Sequence, residues 1–308
     1  MTAVPLRAKP SRAGFRAQQR RLNATAYGFI APFLLFFVLI LLVPIFYALY
    51  LSLFQNQIIG GQTFIGLANY AQAFTDPKFY EGLGRILLYL VIQVPIMLIL
   101  ALFFALVLDS GRLKGARFVR LAIFAPYAIP GVISTLMWGY FYGGNFGLIA
   151  QIFKGIGLPA PDLLSQQNIL GSMMNISTWE FVGYNMIIIY AALRSVPTEL
   201  FDSAEVDGAG QWRIAWSIKI PAVRSAILLC VIFSVIGSFQ LFTEPSLLQT
   251  LAPTTIDSSY TPTFYAYNLA FNNKELDYAA SIAFIIGLFT AIVSYIVQFT
   301  IQRRANRA

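Results

Sequence analysis

PTELFDSAEVDGAGQWRIAWSIKIP, residues 197–221, is a polar island in an apolar chain. It carries Glu199, Asp202, Glu205 and Asp207, four of the 13 acidic residues in the protein. Thr198 is placed to cap a helix, with Glu199 and Asp202 in its first turn, where the helix dipole favours negative charge. Gly208-Ala209-Gly210 breaks that helix, and Gly208 stands where a left-handed or tightly packed residue is expected. A second short helix follows, with Trp212 and Trp216 on one face at i,i+4 spacing. Pro221 is expected to end it at or before Ile220. This helix–glycine–helix hairpin is too polar to sit in lipid and too strongly punctuated to be a loose linker. Hydrophobic runs lie on both sides of it, so the fold class is an all-α membrane protein.

Composition agrees. Of 308 residues, 58% are hydrophobic and only 11% charged, against roughly 25% charged in soluble domains. The net charge of +8 does not require nucleic acid, because most Lys and Arg sit in short loops beside apolar runs. Cys230 is the single cysteine and lies in an apolar run, which rules out an internal disulfide or a cysteine metal cluster. There is no histidine, so the commonest general base and metal ligand is missing.

Six apolar runs can be read outward from the hairpin. They span about Tyr27–Phe54, Ile86–Leu108, Leu121–Tyr142, Gly171–Leu193, Ala226–Phe242 and Ala279–Ile301, the second being long enough for about 30 Å of hydrocarbon. The first is too long for the core of a signal peptide and reads as an uncleaved helix that tolerates Pro32 and Pro44. The third contains Pro126 and Pro130. Residues 55–82 read as a first outside loop with a short interfacial helix, and 243–278 as another outside loop. Seventeen of the 21 Lys and Arg residues fall in the N-terminal tail (1–24), the second loop, the stretch around the hairpin (194–224) and the C-terminal tail (303–308). The charge bias therefore puts both termini and the hairpin in the cytosol, flanking a permease domain over 25–302. No internal repeat near 100 residues occurs. No G-x-x-x-x-G-K-[ST] motif occurs either, so any ATP site must belong to another subunit.

Polar groups at membrane depth mark a candidate path. Glu180 lies mid-way along the fourth run, flanked by Trp179, Tyr184 and Asn185, and a carboxylate there must face a cavity or a partner. Aromatic rings beside amide and carboxyl groups suit a sugar, whose C–H faces stack and whose hydroxyls hydrogen-bond. Ser238, Gln240, Thr243 and Glu244 close the fifth run toward the outside. A structural role in helix packing is the competing reading of both groups, and Gly139 and Gly143 could serve close packing as well. An ion-coupled secondary transporter or channel subunit is the other class left open, with Glu180 as its candidate coupling site. A membrane enzyme is disfavoured by the lack of histidine and of a carboxylate cluster.

The hairpin resembles the E-A-A loop of binding-protein-dependent ABC importer permeases. Asp202-Ser203-Ala204 stands where E-A-A is expected, Asp207-Gly208-Ala209 follows, and Ile218-Lys219-Ile220-Pro221 comes ten positions after Gly208. FIGLANYAQAFTD (64–76) and RFVRLAIFAPYAIPGVISTLMWGYFY (117–142) are similar to the carbohydrate-uptake branch, related to the larger membrane subunit of the maltose transporter. The likeness covers about residues 25–300. Thr250-Leu251-Ala252-Pro253 occupies the place where such permeases carry T-x-G-G-P. The resemblance implies a six-span core in a bacterial or archaeal cytoplasmic membrane and a sugar as cargo. It also implies a second homologous permease, two cytosolic ATPases that hold ATP and Mg, and an external solute-binding protein. It implies that Asp202, Ser203, Ala204, Asp207, Gly208, Ala209 and Pro221 couple the chain to an ATPase. No cofactor is expected in this chain, and no nucleic-acid partner.

Overall fold

The structure, a computed structural model, describes residues 12–57, 60–111, 113–144 and 146–305. Arg7 and Lys9 of the expected N-terminal tail, Arg112 of the second basic loop and Arg307 of the C-terminal tail lie outside the described residues. The fold is mostly helical, with five helices long and apolar enough to cross a membrane, or up to six if one bent pair is a single span.

Helix α1 (Arg12–Phe36) starts inside the basic tail and runs through a π-helical stretch, Phe37–Leu42, into α2 (Val43–Ser52). Proline in a helix removes one N–H and crowds the carbonyl four residues back. The wider turn just before Pro44 accommodates that crowding, so the first span passes both prolines unbroken. A β-hairpin then pairs β1 (Phe54–Gln57) with β2 (Gly61–Phe64), with Phe54 opposite Phe64 and positive φ at Gly60 and Gly61. The short helix expected in this loop is α3 (Ala68–Ala73); the hairpin before it was not expected. Asn69 ties the two together by donating to the Ser52 and Phe54 carbonyls.

Helix α4 (Pro77–Asp109) is capped by Asp76 and packs along α8 (Ile169–Arg194), building the core of the bundle. In its first half Phe79, Ile86 and Tyr89 meet Ile169, Met173 and Ile176. In its second half Met97, Ala101, Ala105 and Leu108 meet Met186, Ile189 and Leu193. The small Ala101 and Ala105, four apart, let the two helices approach closely.

The third apolar run is not one straight span. It divides into α5 (Ala116–Phe124), a 3₁₀ turn at Ala125–Ala128 and α6 (Gly131–Tyr142), with the two parts bent by 97°. Ile129, which precedes Pro130, is extended with ψ 129°, as the clash with a following proline ring favours. Helix α7 (Leu148–Gly155) lies in the glycine-rich loop before α8.

The stretch 197–221 forms α9 (Glu199–Val206), α10 (Gln211–Ile214), a π-helical stretch Ala215–Lys219 and α11 (Ile220–Ala222). Two expectations fail here. Thr198 occupies the N-cap with helical dihedrals and no side-chain cap hydrogen bond. Pro221 does not stop the helix at Ile220, because a π-helical turn again precedes it and absorbs the missing N–H.

The fifth run is α12 (Arg224–Phe239), interrupted at Gln240–Phe242 and resumed as α13 (Thr243–Leu248). Residues 243–278, expected as a loop, hold α13 and α14 (Pro262–Phe271), the latter capped by Thr261. Helix α15 (Leu276–Ala305) closes the bundle. One end of the bundle is tied at Asp76, which accepts from Tyr265 (2.8 Å) and Tyr278 (2.7 Å), while Asp277 accepts from Asn56 N–H (2.6 Å). The opposite end carries the hairpin.

Candidate functional site

The cavity lies where two spans are broken. Helix interiors satisfy their own backbone, so a break at membrane depth is tolerated where it lines a cavity or is buried in protein. The α5–α6 bend brings Gly131 and Thr135 to the cavity wall, and the α12–α13 break brings Gln240, Leu241, Thr243 and Glu244. The cavity volume is about 300 Å³. It sits beside α4 and α8, level with the junction of the two core clusters.

Seven of the eight residues read as a substrate path meet here: Glu180, Tyr184, Asn185, Ser238, Gln240, Thr243 and Glu244. Trp179 does not. Its ring packs edge-on against Trp138 at 5.7 Å, on the side of α8 facing α6. One residue further along the helix is about 100° further round, so Glu180 and Trp179 cannot share a face.

Glu180 and Glu244 are both buried and face one space. Ser177 Oγ donates to Glu244 Oε1 (2.8 Å) and so joins α8 to the start of α13. Among the described residues no protein group hydrogen-bonds Glu180, and its Oε1 would lie 3.4 Å from a Cβ added at Gly131. Its carboxyl therefore stands beside the N-terminus of α6, where the dipole favours negative charge. Tyr184 stacks on Tyr127 (4.7 Å between ring centroids), and Phe181 meets the same Tyr127 edge-on, giving an aromatic wall. Ser238 Oγ donates to the Ser234 carbonyl (2.8 Å), which leaves its lone pairs free as acceptors. Asn185 donates to the Phe181 carbonyl (3.0 Å).

Gly183 sets this geometry. A Cβ there would lie 2.1 Å from the Ile123 carbonyl oxygen and 2.7 Å from Phe124 Cα. Only glycine lets α8 press against the end of α5, one turn beyond Glu180.

The sequence reading missed α4's share of the site. Tyr89, Gln93 and Met97 line the cavity at i, i+4 and i+8. Gln93, an amide in the middle of the second apolar run, was the available signal. Its Nε2 reaches Thr178 Oγ1 at 3.4 Å.

The residues read as ATPase-coupling stand at the far end. Gly208 has φ 80°, its N–H reaches the Glu205 carbonyl (3.0 Å), and Ala209 N–H reaches the Ala204 carbonyl (2.9 Å). This is a Schellman motif, which needs a left-handed residue where Gly208 stands. Ser203 Oγ donates to the Glu199 carbonyl, and Gln211 donates to Glu205 across the break. Asp202, Ser203, Asp207 and Pro221 are exposed, with Ala204 and Ala209 half-buried. Apolar groups are exposed beside them: Val206 at 88%, and Trp212 and Trp216 at 77% and 57%, packed edge-on at 5.9 Å.

Comparison with known proteins gives a consistent group of relatives. The profile described as "Binding-protein-dependent transport system inner membrane component" matches residues 65–307. The chain is 31% identical over 273 residues to the probable ABC transporter permease protein YurN of Bacillus subtilis (strain 168), covering 87% of this chain and 92% of that one. It is 27% identical to the diacetylchitobiose uptake system permease protein NgcF of Streptomyces coelicolor, covering 96% and 88%. Among solved structures, a bacterial ABC transporter involved in the import of the acidic polysaccharide alginate shares the fold. Its TM-score is 0.78 at 19% identity, covering 94% of this chain and 98% of that one.

Proposed function

The chain belongs to the binding-protein-dependent transport system inner membrane components, and from that membership we propose that it forms half of the path of an ATP-driven sugar importer. The observation that carries this reading is the cavity at the two broken spans, with free acceptors and an aromatic wall suited to a sugar. Membership in this family leaves the ion-coupled carrier or channel without support. The lining holds two carboxyls and, among the described residues, no Lys or Arg. This half of the lining therefore suits a neutral or cationic sugar or oligosaccharide better than an anionic one.

A second permease completes the path in a bacterial cytoplasmic membrane. A solute-binding protein delivers cargo at the end tied by Asp76, and two ATPases holding ATP and Mg meet the hairpin on the cytosolic side. The apolar patch of Val206, Trp212 and Trp216 beside Asp202 and Asp207 suits a groove with an apolar floor and a basic rim. Closure of the ATPases moves the seated hairpin; the spans rock outward to receive cargo, and hydrolysis resets them.

The test is purification from the native host's membranes, followed by uptake in vesicles containing the recovered complex. An ATPase and a second permease should co-purify, and a neutral disaccharide should outcompete a uronic-acid disaccharide of the same linkage. Recovery of this chain alone as a homo-oligomer would overturn the importer reading. Preferential uptake of the uronate would overturn the charge assignment.

A further inference from the structure

We propose that Lys219 and Asp109 form a strut that carries displacement of the hairpin to the cavity, with α4 as the rod it drives. The inference rests on the reading that the hairpin meets an ATPase. Lys219 Nζ lies 2.6 Å from Asp109 Oδ2, with the side chains only 9% and 5% exposed. The same ammonium stands 4.8 Å from the centroid of the Phe201 ring on α9. One side chain thus grips both arms of the hairpin, its own backbone in the π-helical stretch and the ring on α9, while anchoring to α4. Asp109 is the last residue of α4. Twelve residues earlier, about 18 Å along the helix axis at 1.5 Å per residue, Met97 lines the cavity, with Gln93 and Tyr89 above it.

The chemistry separates a strut from a simple clip. A buried ion pair is weak evidence for stability, since apolar residues of similar volume usually hold a fold as well or better. What a short, directional charge pair adds is register: it fixes one position of the hairpin against the end of α4. The π-helical stretch Ala215–Lys219 turns Lys219 inward, while Ser217 and Pro221 on either side remain exposed. Helix α4 is packed along α8 for both halves of its length, and Pro95, the proline inside it, lies beyond Met97, so a push at Asp109 reaches Met97 through an uninterrupted stretch of helix.

The test uses the purified complex in lipid nanodiscs and needs no knowledge of the cargo. In a Cys230→Ala background, Gln240→Cys reports on the cavity through its rate of reaction with an impermeant maleimide. ATP–vanadate trapping should change that rate by roughly tenfold, within the range that typical coupling energies give. In Lys219→Met/Asp109→Leu the trapping effect should vanish while the thermal midpoint stays at or above that of the parent. The charge-swapped pair Lys219→Asp/Asp109→Lys should restore at least half of it. Retention of the full effect in the apolar pair would overturn the proposal. Should that pair fail to assemble, the swapped pair decides: assembly without the trapping effect also overturns it. Gly208→Asp separates the two levels. Loss of the effect there with retention in the apolar pair sinks the strut alone. Retention in Gly208→Asp sinks the hairpin reading beneath it.

Discussion

Gly183→Ala adds one methyl group and should disable the cavity. In a helix interior this exchange normally stabilises by up to about 1 kcal/mol. Here the new Cβ would stand 2.1 Å from the Ile123 carbonyl oxygen, against about 3.3 Å for a close carbon–oxygen contact. The obstacle is backbone, so no rotamer change relieves it, and α8 must retreat from the end of α5 by about 1.2 Å, the difference between those two distances. Overpacking of this kind costs about 1–3 kcal/mol, which outweighs the gain in helix propensity. The retreat carries Glu180 and Tyr184 away from Gly131 and Tyr127. Loss of one hydrogen bond from a charged group to the cargo is worth about 1.5–3 kcal/mol, so KM for uptake should rise by about ten- to a hundredfold. The assay is uptake by reconstituted complex together with its thermal midpoint. Gly131→Ala is the control, since its Cβ would meet Glu180 Oε1 at an ordinary 3.4 Å and leave the fold intact. An unchanged midpoint and KM in Gly183→Ala would refute the claim that this contact positions the site.

Glu180→Ala should abolish most uptake while leaving assembly with the ATPase intact; wild-type uptake would make Glu180 incidental, and loss of the whole complex would favour a packing role. A cysteine at Ser203 or Ala305 should resist impermeant thiol reagents in intact cells while one at Ser258 reacts, after Cys230 is replaced; labelling of Ser203 from outside would reverse the orientation. The Asp76 tie should be acid-sensitive. Burial raises the Asp76 pKa, but hydrogen bonds from Tyr278, Tyr265 and the Lys78 and Phe79 N–H groups outweigh that and hold it below its ordinary 3.8. A depressed carboxyl contributes stability above the unfolded value, and that stability is lost as pH falls through the folded one. The difference in thermal midpoint between wild type and Asp76→Asn should therefore be full at neutral pH and shrink below about pH 3.8; a constant difference would contradict the role of the charge.

Much of this fold could be read from residue type alone. The apolar runs located the spans, and Gly208 located the break in the hairpin, because only a left-handed residue closes that helix end. Glu180 and Glu244 pointed to the cavity because carboxyls at that depth need a wet or partnered place. The bend in the third run was harder. Pro126 and Pro130 are compatible with a straight membrane helix whenever neighbours satisfy the freed carbonyls, as the passage through Pro32 and Pro44 shows. Trp179 was misplaced because an aromatic next to a membrane carboxylate looks like part of its site, whereas helical geometry sends it to Trp138. The Lys219–Asp109 contact joins residues 110 apart in sequence, and no local pattern marks such a pair.

The hairpin as coupling element is most directly tested by Gly208→Asp in the reconstituted complex. Nothing lies within 4 Å of a Cβ at Gly208 in this chain, so the substitution costs only the left-handed backbone, about 1–2 kcal/mol, and the subunit should still insert and assemble. On the proposed reading, the added carboxylate meets only the ATPase groove. Asp202→Ala, which removes a first-turn charge, should show the same defect in milder form. The measurement is ATP hydrolysis with and without cargo-loaded binding protein, alongside uptake. The account predicts assembly without stimulation and without transport in Gly208→Asp; full stimulation and transport in that variant would contradict it.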